Sequence, residues 1–225
     1  MKSNISYKSI TILLIMIGIF SACSKDDLNI LPMRISHPDH LYYYTELGEK
    51  IHMKKMDGQY YIAYFAKYED ILMQKLAKTG VKVKSDFFLN KDYSRFSIMD
   101  GPSAKQVVNF KEAEVVGSYE NIVGALPFTF YWAPFYSINN HPIGITQMLI
   151  VAMKRKTKLA QVEKLAKKYS LEMIGRWKDN PNWYILVCTN RSRGNTLEMS
   201  ARFYESGLFE WANPDLYGLG VLALQ

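Results

Sequence analysis

Two cysteines, four histidines and the adjacent aspartates Asp26 and Asp27 are the residues of this 225-residue chain whose types and spacing invite a chemical reading. Cys188 lies in the apolar run 183–189, which reads as buried strand, where a thiol serves as a small core hydrophobe. His37 and His40 fall in a polar stretch, His52 in a hairpin and His141 beside Pro142 in a loop. None has the helix-spaced partner that a zinc site requires, so each reads as a surface or turn residue. Asp26 and Asp27 are adjacent, but their polar neighbours mark them as solvated. Gly218 and Gly220 sit in an apolar tail with no helix after them, so they do not make a phosphate-binding loop. No Asp, His and Ser set with a strained nucleophile loop is present. The chain therefore reads as non-enzymatic, with no catalytic set, metal, cofactor or small-molecule substrate.

Cys23 is different because of what precedes it. Lys2 and Lys8 form a basic start, 10–20 is apolar, and the small Ser21 and Ala22 stand directly before the cysteine. About eleven apolar residues at about 1.5 Å each cover roughly half of a bilayer core, too little for a permanent span. The run Phe20-Ser21-Ala22-Cys23 resembles the site read by the lipoprotein signal peptidase, with Phe20 where Leu is more usual. That resemblance implies cleavage before Cys23, acylation of its thiol and a stable lipid anchor in the membrane, since several chains hold where one does not. An ordinary secretory signal with Cys23 as a bystander is the alternative. Ser24, Lys25, Asp26 and Asp27 resemble the Lys-plus-acidic signal that sends some lipoproteins of Gram-negative bacteria to the outer face of the outer membrane. They also have the composition of a plain tether on a periplasm-facing protein. The expected boundaries are a signal peptide 1–22 and a lipidated tether 23–40.

Composition narrows the rest. With 48% hydrophobic and 14% aromatic residues the chain can build a packed core. The signal segment takes two of the 28 basic residues and none of the 21 acidic ones, leaving a net charge of +5 beyond it. Those basic residues are scattered rather than striped, which argues against nucleic acid as a partner. If Cys23 is acylated, Cys188 has no disulfide partner and the fold rests on its core.

The elements are clearest in the second half. The run 147–154 reads as a buried strand. Leu159, Val162, Leu165, Ala166 and Tyr169 then form a helical stripe over 158–170. Strands at 171–176 and 183–189 follow, joined by the turn-rich 178–182. Asn195 with Glu198 three residues on is a capping-box pattern for a helix showing Leu197, Ala201, Tyr204 and Leu208 and ending near Gly207. A last strand at 208–213 is expected to stop at Pro214. This order predicts an α+β, ferredoxin-like βαββαβ unit over 138–216, an antiparallel sheet with both helices on one face. The N-terminal half, 41–137, shows a weaker echo that suggests a diverged copy. Short strands at 42–44 and 50–53 form a hairpin, followed by strands at 60–66, 81–89, 93–99 and 113–119. Helices are expected at 68–79 and 103–110, and 126–137 reads as a strand packing the two halves together. Leu-Ala-Lys recurs at 76–78 and 165–167.

Several motifs then fall in a characteristic order: LAQVEKLA at 159–166, MIG at 173–175, WYILVCT at 183–189, GNTLEM at 194–199, FYESGLF at 203–209 and NPDL at 213–216. Together they resemble the N-terminal prodomain of secreted subtilisin-like serine proteases from Gram-negative anaerobes. APFY at 133–136, and YYY at 42–44 with GEK at 48–50, look like that family's opening. The resemblance implies a ferredoxin-like fold whose sheet docks on two helices of the protease while the segment after the last strand lies in the active-site cleft. Carried to this chain, the docking face is the exposed face of strands 171–176, 183–189 and 208–213. The cleft-binding residues are Asp215, Leu216, Tyr217 and Leu219, in and before the apolar tail 217–225, which would bind as an added strand. That tail equally suits covering the domain's own core. The family continues into a catalytic domain, whereas nine residues follow Leu216 here.

The expected partner is thus a subtilisin-like serine protease, bound and inhibited or assisted in trans. A surface-displayed interaction or structural lipoprotein, and a truncated remnant of a protease, are the alternatives. Replacing Cys23 with Ala should move the protein from the membrane to the soluble fraction on cell fractionation; unchanged membrane retention would place the anchor elsewhere.

Overall fold

A computed structural model describes residues 37–79, 82–84, 96–99, 110–117 and 129–217, which all fall in one compact unit. The signal segment, Cys23, the residues 24–27, Leu219 and the greater part of the candidate helix 103–110 lie outside the described residues. Among the described residues no helix is long and apolar enough to cross a membrane.

Over the described residues the fold is α+β, an antiparallel sheet with three α-helices. The strands are β1 (His40–Tyr44), β2 (Lys50–Phe65), β3 (Lys82–Lys84), β4 (Phe96–Ile98), β5 (Phe110–Val116), β6 (Thr129–Ile138), β7 (His141–Met153), β8 (Glu172–Trp177), β9 (Trp183–Val187) and β10 (Phe209–Tyr217). The helices are α1 (Glu69–Lys78), α2 (Leu159–Tyr169) and α3 (Thr196–Glu205). Along the sheet the order is β3-β5-β2-β6-β7-β9-β8-β4, with β1 beside β2 and β10 beside β7. Each half has its own run of four: β6-β2-β5-β3 and β10-β7-β9-β8.

The halves meet at the β6–β7 hairpin. Asn139 and Asn140 carry φ of 49° and 67°, the positive pair of a two-residue type I′ turn, and Ile138 faces His141 across it. The expected boundary between 137 and 138 therefore falls inside a continuous hairpin, and His141 opens a strand rather than sitting in a loop. β7 pairs with β6 only over 141–143, then with β9 over 148–152 and with β10 from Gly144 to Met153.

Local signals account for the helices. Val162 and Ala166 bury one stripe of α2, which ends on Ser170 in the left-handed conformation with Leu171 N–H bonding Ala166 O at 2.9 Å. Asn195 caps α3: its side chain accepts from Glu198 N–H at 3.1 Å while Glu198 Oε2 accepts from Asn195 N–H at 3.1 Å. Phe203 of α3 stacks on Phe209 of β10 at 5.3 Å and lies 6.3 Å from Tyr169, so α2 and α3 sit side by side.

Other expectations need correction. The strands at 50–53 and 60–66 are one strand of 16 residues, β2, which passes through Gly58 at φ 80° and shifts register against β6 between Lys55 and Tyr60. The strand at 93–99 is β4, and it pairs with β8 of the other half. Phe110, placed in a helix, opens β5. The last strand does not stop at Pro214. It runs to Tyr217, with Pro214 opposite Leu149 and a register shift before Leu216 that accommodates the missing N–H.

Residues 37–39, assigned to the tether, are also docked on the sheet. Tyr136 Oη donates to Pro38 O at 2.9 Å, Lys55 N–H donates to Asp39 O at 2.7 Å, and His37 packs on Trp132 at 4.2 Å.

Asn140→Val should destabilise the fold by about 1–2 kcal/mol, because a β-branched residue tolerates positive φ poorly, whereas Asn140→Gly should be neutral or stabilising. Urea unfolding of both variants checks this; equal midpoints would mean the turn does not fix the hairpin.

Candidate functional site

The face expected to dock on a protease is the one turned away from α2 and α3. α3 fixes which face that is, because Phe209 stacks on Phe203 and Ala212 O accepts a 2.6 Å bond from Ser200 Oγ. Alternation along β7, β9 and β10 then places Trp183, Ile185, Val187 and Trp211 on the opposite face, with Met148 and Ala152 between them. Met148, Ile185 and Val187 are buried, so this is not the open face the sequence suggested.

Its half-exposed part is a row of three tryptophans. Trp177 and Trp183 have ring centroids 5.8 Å apart, and Trp183 and Trp211 are 4.8 Å apart, both edge to face. Ala152 lies opposite both Trp183 and Trp211, and its small side chain leaves room for the two indoles to meet over β7.

Asp215, Leu216 and Tyr217 lie in β10 instead of a free tail. Asp215 Oδ2 accepts from Thr146 Oγ1 at 2.7 Å. Leu216 pairs with Ile145 and packs on the main core. Tyr217 pairs with Gly144 and meets Phe135 edge to face at 6.3 Å. A Cβ on Gly144 would lie 3.0 Å from Phe135 and 3.1 Å from Tyr217, so the glycine makes room for both rings. Three of the four expected cleft residues thus come together on one strand end, each held by β7 or its neighbours.

The early tyrosines meet the FYESGLF segment. Tyr42 and Tyr44 hydroxyls both donate to Glu205 Oε1 at 3.0 Å, Tyr44 stacks on Tyr204 at 4.4 Å, and Lys50 Nζ lies 4.1 Å from the Tyr42 ring. The bonds to Glu205 raise the pKa of both phenols. Gly48 closes the arrangement, since a Cβ there would lie 2.8 Å from Tyr204 Oη. Motifs far apart in sequence here form one clamp between the β1–β2 hairpin and α3. No sequence signal marked Glu205 as its centre.

Cys188 is fully buried, and desolvation pushes its thiol up to about 12, which leaves it without nucleophilic character at neutral pH. Among the described residues no three His, Cys, Asp or Glu side chains group as metal ligands. His37 differs from the surface role expected of it. Neither of its ring nitrogens has a hydrogen-bond partner among the described residues, and the same holds for Trp132 Nε1 beside it. Burial first, then Lys55 nearby, lower its pKa to about 3.

Comparison with protein-family models, with curated proteins and with solved structures gives no significant match to this chain.

His37 is neutral in the folded protein and charges near pH 6.5 when released. Its docking therefore stabilises fully above about pH 6.5 and is lost as pH falls toward 3, by at most about 1.4 kcal/mol per unit. Glu172 and Glu198, whose carboxyls burial raises, act in the opposite sense by taking up protons in the fold. Stability and Trp emission measured at pH 7.5 and pH 5 should show an acid-side loss that His37→Phe removes; an identical loss in the variant would assign it to other groups.

Proposed function

We propose that this chain is a lipoprotein of the outer membrane whose C-terminal half is a subtilisin-prodomain-like module that binds a subtilisin-like serine protease and inhibits it or assists its folding. The observation that carries this reading is the strand order β10-β7-β9-β8, all antiparallel, with α2 between β7 and β8 and α3 between β9 and β10. That is the order expected of a ferredoxin-like split βαβ unit, and it covers the stretch where the motif resemblance is densest. The matching order β6-β2-β5-β3, with α1 between β2 and β3, supports a diverged copy in the first half.

In this reading the tryptophan row is the centre of the contact with the protease. Aromatic side chains lose little conformational freedom on binding and often anchor such interfaces. β10 acts as the rigid stem from which the chain after Tyr217, with Leu219, enters the protease cleft. Asp215, Leu216 and Tyr217 then orient that segment through β7.

A second reading is favoured by the same strand. Asp215 bonded to Thr146, with Leu216 and Tyr217 packed on the core, is what a domain needs to complete its own sheet, and it suits a surface-displayed interaction or structural lipoprotein without a protease partner.

Incubating purified residues 24–225 with a subtilisin-like protease, ideally one from the same cell, separates the two. The first reading expects tight, slowly reversed inhibition. Rapid digestion with full protease activity would leave the second.

A further inference from the structure

The basic residues that read as scattered along the chain gather in the folded molecule. The stretch 154–170 holds seven basic residues and a single acid, Glu163, a net charge of +6 against +5 for the whole chain beyond the signal segment. The rest of that chain is therefore close to neutral. All seven basic side chains are exposed. Lys154, Arg155, Lys156 and Lys158 stand in the turn that leads into α2. On the helix, where each residue turns by about 100°, Lys164, Lys167 and Lys168 lie opposite the buried Val162 and Ala166.

The loop after β9 extends this strip past the end of the helix. Ser192 Oγ donates to Ser170 O at 3.0 Å and Arg193 N–H donates to Tyr169 O at 3.0 Å, which fixes the exposed Arg191 and Arg193 beside the last turn of α2. Arg202 of α3 also reaches Tyr169, at 5.3 Å from its ring, but lies 3.8 Å from Glu198 and is balanced by it. The negative end of the helix accounts for Lys167 and Lys168, and leaves seven other cations of the strip without such a reason. Like charges gathered this way repel one another, and a polyanion laid along them would relieve that cost.

Two features narrow which polyanion fits. Leu159, next to Lys158, is one of three large apolar side chains exposed among the described residues. An apolar side chain among cations gains from a lipid interface and gains nothing from a row of bare phosphates. The aromatic ring of the strip, Tyr169, is half-buried, with Lys168 Nζ 5.0 Å and Arg202 Cζ 5.3 Å from its centroid, so it offers no open face on which a base could stack. We propose that α2 and the loop after β9 form a docking strip for an anionic phospholipid surface, with the cations on lipid phosphates and Leu159 at the acyl boundary. The proposal rests on the lipoprotein reading for the anchor that brings the domain to the membrane. Docked this way, the sheet turns its tryptophan row away from the membrane, where a protein partner can reach it.

The test reconstitutes the full chain in vesicles of phosphatidylcholine alone and of phosphatidylcholine mixed equally with phosphatidylglycerol. Lysines are labelled with an impermeant amine reagent and read by peptide mass spectrometry. Lys164, Lys167 and Lys168 should label at least about threefold more slowly on the anionic vesicles, and about 0.5 M salt should remove the difference. Lys75 and Lys78 of α1, exposed on the other side of the sheet, should label alike on both. In the combined variant Lys164→Gln, Lys167→Gln and Lys168→Gln, the protection of Lys154, Lys156 and Lys158 should fall at least about twofold. Its urea midpoint should not change, since the three side chains are exposed. Equal labelling of the strip on the two vesicles overturns the proposal. Protection of Lys75 and Lys78 as strong as that of the strip also overturns it, marking a general pull on a basic protein instead of a docked face. Failure of the anchor reads differently: a chain lost from phosphatidylcholine yet held and protected on the anionic vesicles would remove the anchor and uphold the strip.

Discussion

The two-residue turn at Asn139–Asn140 is the constraint from which the rest of the architecture follows. A turn that short leaves β6 and β7 no choice but to pair, so the two halves cannot separate into independent domains. β7 is longer than its contact with β6. Beyond Ile143 it passes to β9 and β10, and it thereby belongs to both strand groups at once. β6 does the reverse, pairing with β2 over most of its length. Every described strand reaches this junction through at most a few neighbours.

One consequence is that the central strands are covered on both faces. Tyr60, Ile62 and Tyr64 of β2 join Trp132 in a cluster with Leu72 and Leu76 of α1. The alternate residues, Tyr61 and Ala63 with Tyr131 and Ala133, join the larger core that also holds Val162, Ile185 and Phe203. This explains why eight consecutive residues from Thr129 are buried and why 126–137 shows no clean alternation. It also brings phenols into the core, where each needs a partner. Tyr61 Oη donates to Gln147 Oε1 at 2.7 Å, tying β2 to β7. Thr196 Oγ1 donates to Thr146 O at 2.6 Å and lies 3.2 Å from Tyr131 Oη, tying α3 to β7 and β6. The polar groups of the core thus join the same elements that the hairpin brings together.

What was legible in the sequence was what is decided locally. The stripe of α2, the capping box of α3 and the strand starts, read at 171 and 183 and found at 172 and 183, depend on neighbours within a few residues. What was not legible is decided by partners far away. Nothing within 93–99 says that β4 will pair with β8, because the choice is made by which sheet edge lies open in the folded molecule. Nothing near Pro214 outweighs the rule that proline ends a strand. Only β7, which continues past that point, supplies the pairing that carries β10 three residues further. The tyrosine clamp on Glu205 and the joining of Arg191 and Arg193 to the lysines of α2 were hidden for the same reason: each joins elements that the sequence cannot place side by side.

The apparent internal repeat shows how differently sequence and topology report ancestry. Aligning the two Leu-Ala-Lys triplets sets Leu76 against Leu165 and Ala77 against Ala166. Yet Leu76 is buried where Leu165 is only half-buried, and Ala166 is buried where Ala77 is exposed. The triplets are therefore one position out of phase on their helices, and their identity is no sign of a shared structural role. Burial equates Leu72 and Leu76 with Val162 and Ala166, the same i, i+4 step on helices that each connect the first strand of a group to the one lying two places away. The strand that ends each group, β6 or β10, then runs beside its first strand, β2 or β7. A common origin would have to be argued from this order and these buried positions. Both can outlast the loss of residue identity, because an apolar position under a helix needs only to remain apolar and of suitable size.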